Sequence, residues 1–243
     1  MRSALIDPTM AAVDVQADDP RPFDDEIAKG KSKNKLACLT LPDEEGRNTT
    51  HFTIVDSDGN IVTCTTTIES GWGTGLMVPG YGFMLNNELT DFNRTPAYNP
   101  DPDNFNPGAN DVAAGKRPRS SMAPTMVFYK KKPLAAFGSP GGSSIISTVA
   151  QIAINLIDHQ RTVQEAVDAP RLRQTVANGT TRRELGFSDS VIGELEALGH
   201  DFRSPEVIGS VQAIVLDKKK QYGAADKRRI GGVVSVRSEE IVH

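Results

Sequence analysis

The chain has few residues that cross-link, stack or ligate: two cysteines, one tryptophan and four histidines in 243 residues. Two cysteines, Cys38 and Cys64, exclude a disulfide-dense scaffold and leave open either a single bridge or two buried thiols. The histidines, at 51, 159, 200 and 243, have no metal-ligand spacing. Trp72 and the scattered aromatics form no stacking platform for bases. No apolar run approaches membrane-spanning length. A formal net charge of -4 leaves no nucleic-acid footprint. Lys130-Lys131-Lys132 and Lys218-Lys219-Lys220 lie between apolar runs and read as solvated hairpin turns. Met1–Pro8 has no signal-peptide pattern, an observation without weight for a piece of a longer precursor.

What is present divides the chain in two. Residues 1–48 are rich in charge, proline and lysine and lack periodicity, so they read as a linker or tail. Residues 49–243 carry the compact pattern. Two alternating runs, Phe52–Val55 and Ile61–Ile68, flank the turn Asp56-Ser57-Asp58-Gly59-Asn60 and predict a hairpin. A second hairpin pairs Thr125–Tyr129 with Leu134–Phe137. Apolar spacing predicts helices over 143–159, 163–174 and 189–198, the last capped by Ser188 and stopped by Gly199. Final strands are expected at Val211–Leu216 and Val233–Val236. Hairpins mixed with helices predict an α+β fold with an antiparallel sheet. The proline-bearing loop from Asn93 to Gly115 has the length of a functional lid.

The chemistry-bearing residues begin with Asn48-Thr49-Thr50-His51. A threonine opening a strand becomes a nucleophile if the chain is cut just before it, because its new α-amine lies beside its own hydroxyl and serves as general base. Further on come Leu85-Asn86-Asn87-Glu88-Leu89-Thr90-Asp91-Phe92, then Lys116-Arg117-Pro118-Arg119-Ser120-Ser121-Met122. Gly138-Ser139-Pro140-Gly141-Gly142-Ser143 sits between a strand and a helix. Backbone N–H groups at such a turn bind an anion or a developing oxyanion. It lacks the Gly-Lys-Ser/Thr ending of a phosphate loop.

In this order the motifs resemble the γ-glutamyltranspeptidase family of N-terminal nucleophile hydrolases; Ala169-Pro170-Arg171 and Tyr222–Asp226 also fit. The resemblance spans the family's small catalytic subunit and, more loosely, the tail of its large subunit. It implies a four-layer αββα sandwich with the large-subunit part mostly missing, and scission between Asn48 and Thr49. It makes Thr49 the nucleophile, supported by Thr67, with Gly141 and Gly142 as oxyanion donors. Glu69, Glu88 and Asp91 fall where the substrate α-amine is held, and Ser120 and Ser121 where its α-carboxylate is held. An amino-acid head needs this split of acceptors and donors. No metal or organic cofactor is implied. The missing large subunit is the implied non-covalent partner, and a periplasmic or extracellular compartment the implied location, with a cytoplasmic one left open.

Three departures stand out. Glu69 occupies a position where many members carry Asn, adding negative charge. The lid tyrosine of the family aligns with Pro102, with Tyr98 and Phe105 nearby. The large subunit, which supplies an arginine for the α-carboxylate, is nearly absent. The expected reaction is transfer of a γ-glutamyl group to water or an amine. Rivals are a β-lactam side-chain acylase, a poly-γ-glutamate depolymerase and an inactive truncated fragment.

Overall fold

The computed structural model describes Thr9 and residues 49–93, 108–174, 180–203, 205–217 and 220–236. The tail before Thr49 apart from Thr9, including Cys38 and Asn48, and the lid positions Tyr98, Pro102 and Phe105 lie outside the described residues. In chain order the elements are β1 (Thr49–Val55), β2 (Ile61–Thr67), a single 3-10 turn (Glu88–Asp91), β3 (Thr125–Tyr129), β4 (Lys132–Gly138), α1 (Ser144–Ile157), α2 (Val163–Asp168), β5 (Leu172–Gln174), β6 (Thr180–Arg183), α3 (Asp189–Ala197), β7 (Asp201–Phe202), β8 (Gln212–Asp217) and β9 (Lys220–Ala225).

The first hairpin forms as its alternation dictates. Antiparallel pairing runs from Thr49 opposite Thr67 to Val55 opposite Ile61. Asp56 closes the turn by accepting from the N–H groups of Asp58 (2.9 Å) and Asn60 (2.8 Å), while Gly59 takes a positive φ of 85°. In the second hairpin Lys130 and Lys131 both take positive φ, the requirement of a tight two-residue turn.

β3, β4, β8 and β9 form one antiparallel sheet in that order, and β5, β6 and β7 a second, smaller one. One face of the larger sheet presents Ala135, Phe137, Ala213 and Ala224 to Ile145, Val149 and Ile152 of α1 and Val163 and Val167 of α2, all buried together. Its other face receives the first hairpin, which packs over β4 and β8. Helices, sheet and hairpin make three layers of an α+β stack.

The hairpin is polar on its inner face. His51 is buried there among hydroxyls: its Nδ1 lies 2.8 Å from Thr65 Oγ1, and its Nε2 3.1 Å from Thr63 Oγ1. The ring fits because residue 138 opposite is glycine; a Cβ there would stand 2.3 Å from His51 Cε1. Loss of hydration lowers the His51 pKa from 6.5 to about 4. The unfolded chain therefore takes up a proton near pH 6.5 that the folded chain refuses. This stability is fully present above pH 6.5 and is lost as pH falls toward 4. Between pH 6.5 and 5 the loss amounts to about 2 kcal/mol. Urea titrations at both pH values test this: His51→Asn is expected to remove that share of the slope, and an unchanged slope would refute it.

Two expected elements are corrected. The helix expected over 163–174 ends at Asp168. Ala169 precedes Pro170, whose ring disfavours the helical conformation there, and Ala169 takes φ -55°, ψ 139°. The chain then extends into β5. Residues 233–236 do not form a strand: after Gly231-Gly232 the segment runs without ladder partners. The remaining helices match, with Ser188 Oγ accepting from Val191 N at 3.3 Å and Gly199 at φ 95°.

Candidate active site

Register places the residues that matter most. Thr49 begins β1, and its partner across the ladder is Thr67. The Thr49 hydroxyl donates to Thr67 Oγ1 at 3.1 Å, and Thr67 Oγ1 also accepts the Glu69 N–H at 2.9 Å. Donation to this doubly accepting oxygen fixes the direction of the Thr49 O–H.

Glu69 turns the chain out of β2 in the left-handed region, at φ 70°. Its carboxylate accepts from Ser70 Oγ and from Asn87 Nδ2 at 2.5 Å. Asn87 is a clasp the sequence did not announce: its Oδ1 accepts the Ser70 N–H at 2.9 Å and its own N–H donates to Ile68 O at 3.2 Å. The clasp brings Glu69 beside the 3-10 turn that carries Glu88 and Asp91. Glu88 is half-buried, and its pKa is raised by burial first, then by the nearby charges of Asp91 and Glu69. Crowding of like charges raises the cost of ionising a carboxylate.

Asn110 ties the acidic turn to Arg119, the residue before the serine pair. Its Nδ2 donates to Asp91 O at 2.8 Å and its Oδ1 accepts the Arg119 N–H at 2.9 Å. Ser121 Oγ donates to Gly142 O at 2.7 Å, whereas Ser120 is exposed and its Oγ accepts the Met122 N–H at 3.2 Å. Gly141 and Gly142 take φ 137° and 55°. The carbonyls of the pair accept from Ser144 N and Ile145 N, which start α1, at 3.0 and 3.1 Å. Among the described residues, no hydrogen bond takes the N–H of Gly141 or Gly142. Hydrogen bonds thus link Thr49, Thr67, Glu69 and Asn87 in one run, and Ser121 to Gly142 in another. His51 packs on Gly138, at the start of the glycine-rich turn. Asn87 and Asn110 were missed because an asparagine in a loop reads as turn chemistry.

Two sheet layers packed face to face, helices outside and a hydroxyl-bearing residue at the start of a strand define the N-terminal nucleophile hydrolase fold. The family model described as Gamma-glutamyltranspeptidase matches residues 2–236, and the chain belongs to that family. It is 44% identical over 191 residues to the glutathione hydrolase proenzyme of Bacillus subtilis, covering 77% of this chain and 31% of that protein. It is 35% identical over 240 residues to the acylase ACY 1 proenzyme of a Pseudomonas species, covering 96% of this chain and 40% of the other. A solved structure of a Helicobacter pylori γ-glutamyltranspeptidase mutant superposes with a TM-score of 0.67 at 39% identity, covering 74% of this chain and all of that one. The chain spans about a third of the length of the curated relatives it matches.

Proposed function

We propose that residues 49–243 are the catalytic small subunit of a γ-glutamyl hydrolase and transferase, and that residues 1–48 are the end of its large subunit. The observation that carries this reading is the Thr49–Thr67 hydroxyl pair at the head of β1. The name "proenzyme" borne by the relatives accords with maturation by scission. In that step Thr49 Oγ1 attacks the Asn48 carbonyl, the C–N bond breaks, and the α-amine leaves carrying the proton. Water then hydrolyses the Asn48 ester. In turnover Thr49 Oγ1 attacks the γ-glutamyl carbonyl and passes its proton to the α-amine. Gly141 and Gly142 N–H groups hold the oxyanion. The leaving amine takes the proton, and the acyl ester is released to water or to an acceptor amine.

Glu69, Glu88 and Asp91 hold the substrate ammonium in this reading, and Ser120 and Ser121 the carboxylate. The remainder of the large subunit supplies the guanidinium for that carboxylate and the fourth layer. The outer face of the hairpin supports such a cover: Phe52, Ile54 and Val62 are 41%, 55% and 52% exposed there, and apolar faces of this kind mark contact surfaces. Among the described residues no helix is long and apolar enough to cross a membrane.

The acylase reading keeps the mechanism and changes the acyl group; the likeness to the Pseudomonas acylase favours it. Rates on γ-glutamyl-p-nitroanilide and on a glutaryl amide separate the two. The acidic corner requires an ammonium, so the γ-glutamyl substrate is expected to react at least about 100-fold faster, the worth of about 3 kcal/mol of charge-assisted binding. Faster turnover of the glutaryl amide would assign the chain to the acylases.

A further inference from the structure

Behind the glycine turn lies a cluster of charge that the chemistry above does not use. Arg171, Glu184 and Asp226 are buried, with Arg171 1% exposed, and Arg228 closes the group from its edge. Arg171 Nη2 pairs with Asp226 Oδ2 at 2.7 Å, Arg228 Nη2 with Glu184 Oε2 at 2.5 Å, and Arg228 Nη1 with Asp226 Oδ1 at 3.1 Å. Two cations and two anions leave the cluster neutral.

Three of its remaining hydrogen bonds go to one backbone segment, residues 208–211, while others tie Arg171 and Arg228 to the Val167 and Ala169 carbonyls at the end of α2. Glu184 Oε1 accepts the Ile208 N–H at 2.8 Å, and Arg171 Nη1 donates to Ile208 O at 2.7 Å. At the other end Asp226 Oδ2 accepts the Val211 N–H at 2.9 Å. The segment is clamped at both ends and its middle is pressed onto the turn. The Ser210 N–H donates to Ser139 Oγ at 2.8 Å. Gly209, at φ 66°, lies so close to Gly141 that a Cβ on Gly141 would stand 3.1 Å from the Gly209 Cα. Arg173, buried on β5, donates to Ser143 Oγ, one residue past Gly142.

We propose that Arg171, Glu184, Asp226 and Arg228 are positioning residues: a buried neutral frame that holds residues 208–211 against Gly141 and so fixes the direction of the Gly141 and Gly142 N–H groups. An apolar cluster of equal volume would fill the space but leave the Ile208 and Val211 amides without partners. The frame sets the turn, and the turn, in the function proposed above, sets the oxyanion hole.

Hydrogen exchange of the 243-residue chain, read by mass spectrometry, tests the frame without relying on activity. In Asp226→Asn the amides of Ser144, Ile145, Ile208, Ser210 and Val211 are expected to exchange at least about tenfold faster, with those of β1, β2 and α3 unchanged. First-order scission at Asn48–Thr49 is expected to slow by about 10- to 100-fold, as for other supports of a reacting site. Arg171→Lys, which keeps the charge, is expected to lose less of both. Unchanged exchange at the turn in a folded Asp226→Asn chain overturns the inference, and so does a rise spread evenly over the molecule. Should Asp226→Asn fail to fold, Ser139→Ala removes the acceptor of the Ser210 N–H, along with the Ser139 donation to Pro140 O, and leaves the four charges in place. The same local rise then supports the frame, and no rise overturns it. A wild-type chain that never splits would sink the nucleophile reading, while the exchange pattern still decides the frame.

Discussion

Thr49→Ala is expected to leave a single intact polypeptide where the wild-type chain yields two pieces divided between Asn48 and Thr49, and to lower γ-glutamyl transfer by at least about 10⁴-fold. The substitution removes the attacking oxygen of both reactions. It breaks one half-buried hydroxyl pair, 3.1 Å long, so the loss of stability is about 1 kcal/mol and the fold persists. Thr49→Ser keeps the oxygen and is expected to split, more slowly, because the methyl group that limits the Thr49 rotamer is gone. Intact-mass measurement after incubation reads all three chains. Splitting of the Ala chain at the same bond would remove Thr49 from the mechanism, and an unsplit wild-type chain would support the truncated-fragment reading.

The first hairpin and its consequence for Thr49 were legible because alternation and an Asp-Gly-Asn turn fix the register locally. Once Phe52 and Ile54 alternate with Thr53 and Val55, Thr49 and His51 must share the opposite face from Phe52. Direction was another matter. Alternation ordinarily puts the apolar side toward the core, yet here the threonines and His51 face the sheet while Phe52 and Ile54 remain exposed. Only the three-layer packing shows it, because the sequence pattern does not say which layer belongs to which part of the molecule. β5, β6 and β7 were invisible for a different reason. Thr180–Arg183 is a run of threonines and arginines that no hydrophobic period marks, and its pairing is settled by tertiary contacts. β9 begins at Lys220, inside what read as a lysine turn.

The same limit applied to charge. Arg171 and Asp226 stood out only as members of matching motifs, and Glu184 and Arg228 not at all. They lie up to 57 positions apart in sequence, from Arg171 to Arg228, so spacing could not show that they meet. Their pairing makes the cluster acid-sensitive. Burial alone would raise the Asp226 carboxyl, but the Arg171 guanidinium and the N–H groups of Val211 and Arg228 outweigh it and hold the pKa below its ordinary 3.8. By linkage that stability is complete above the ordinary value and is lost only as pH falls through the lower one. On acidification the stability tied to His51 is therefore lost at higher pH than that tied to Asp226.

Gly141→Ala is the sharpest probe of the glycine turn. At φ 137° the backbone sits where a side chain is strained. The added Cβ would also meet Ser144 Oγ at 2.5 Å and the Gly209 Cα at 3.1 Å. Ser144 is held to the Gly141 carbonyl at 2.5 Å, and Gly209 is backbone clamped from both ends, so neither yields easily. The turn itself must rotate, and its two N–H groups rotate with it. Scission and γ-glutamyl transfer are expected to fall by about 10²- to 10³-fold, the usual cost of one lost oxyanion donor. Gly80→Ala supplies the control: φ is 80°, but nothing lies within 4 Å of the new Cβ. That variant bears the backbone strain alone and is expected to retain its rates. Rates near wild type in Gly141→Ala, measured beside an unimpaired Gly80→Ala, would show that the oxyanion is stabilised elsewhere. A loss confined to Gly141→Ala would tie the glycine turn and the Thr49 hydroxyl into one catalytic unit.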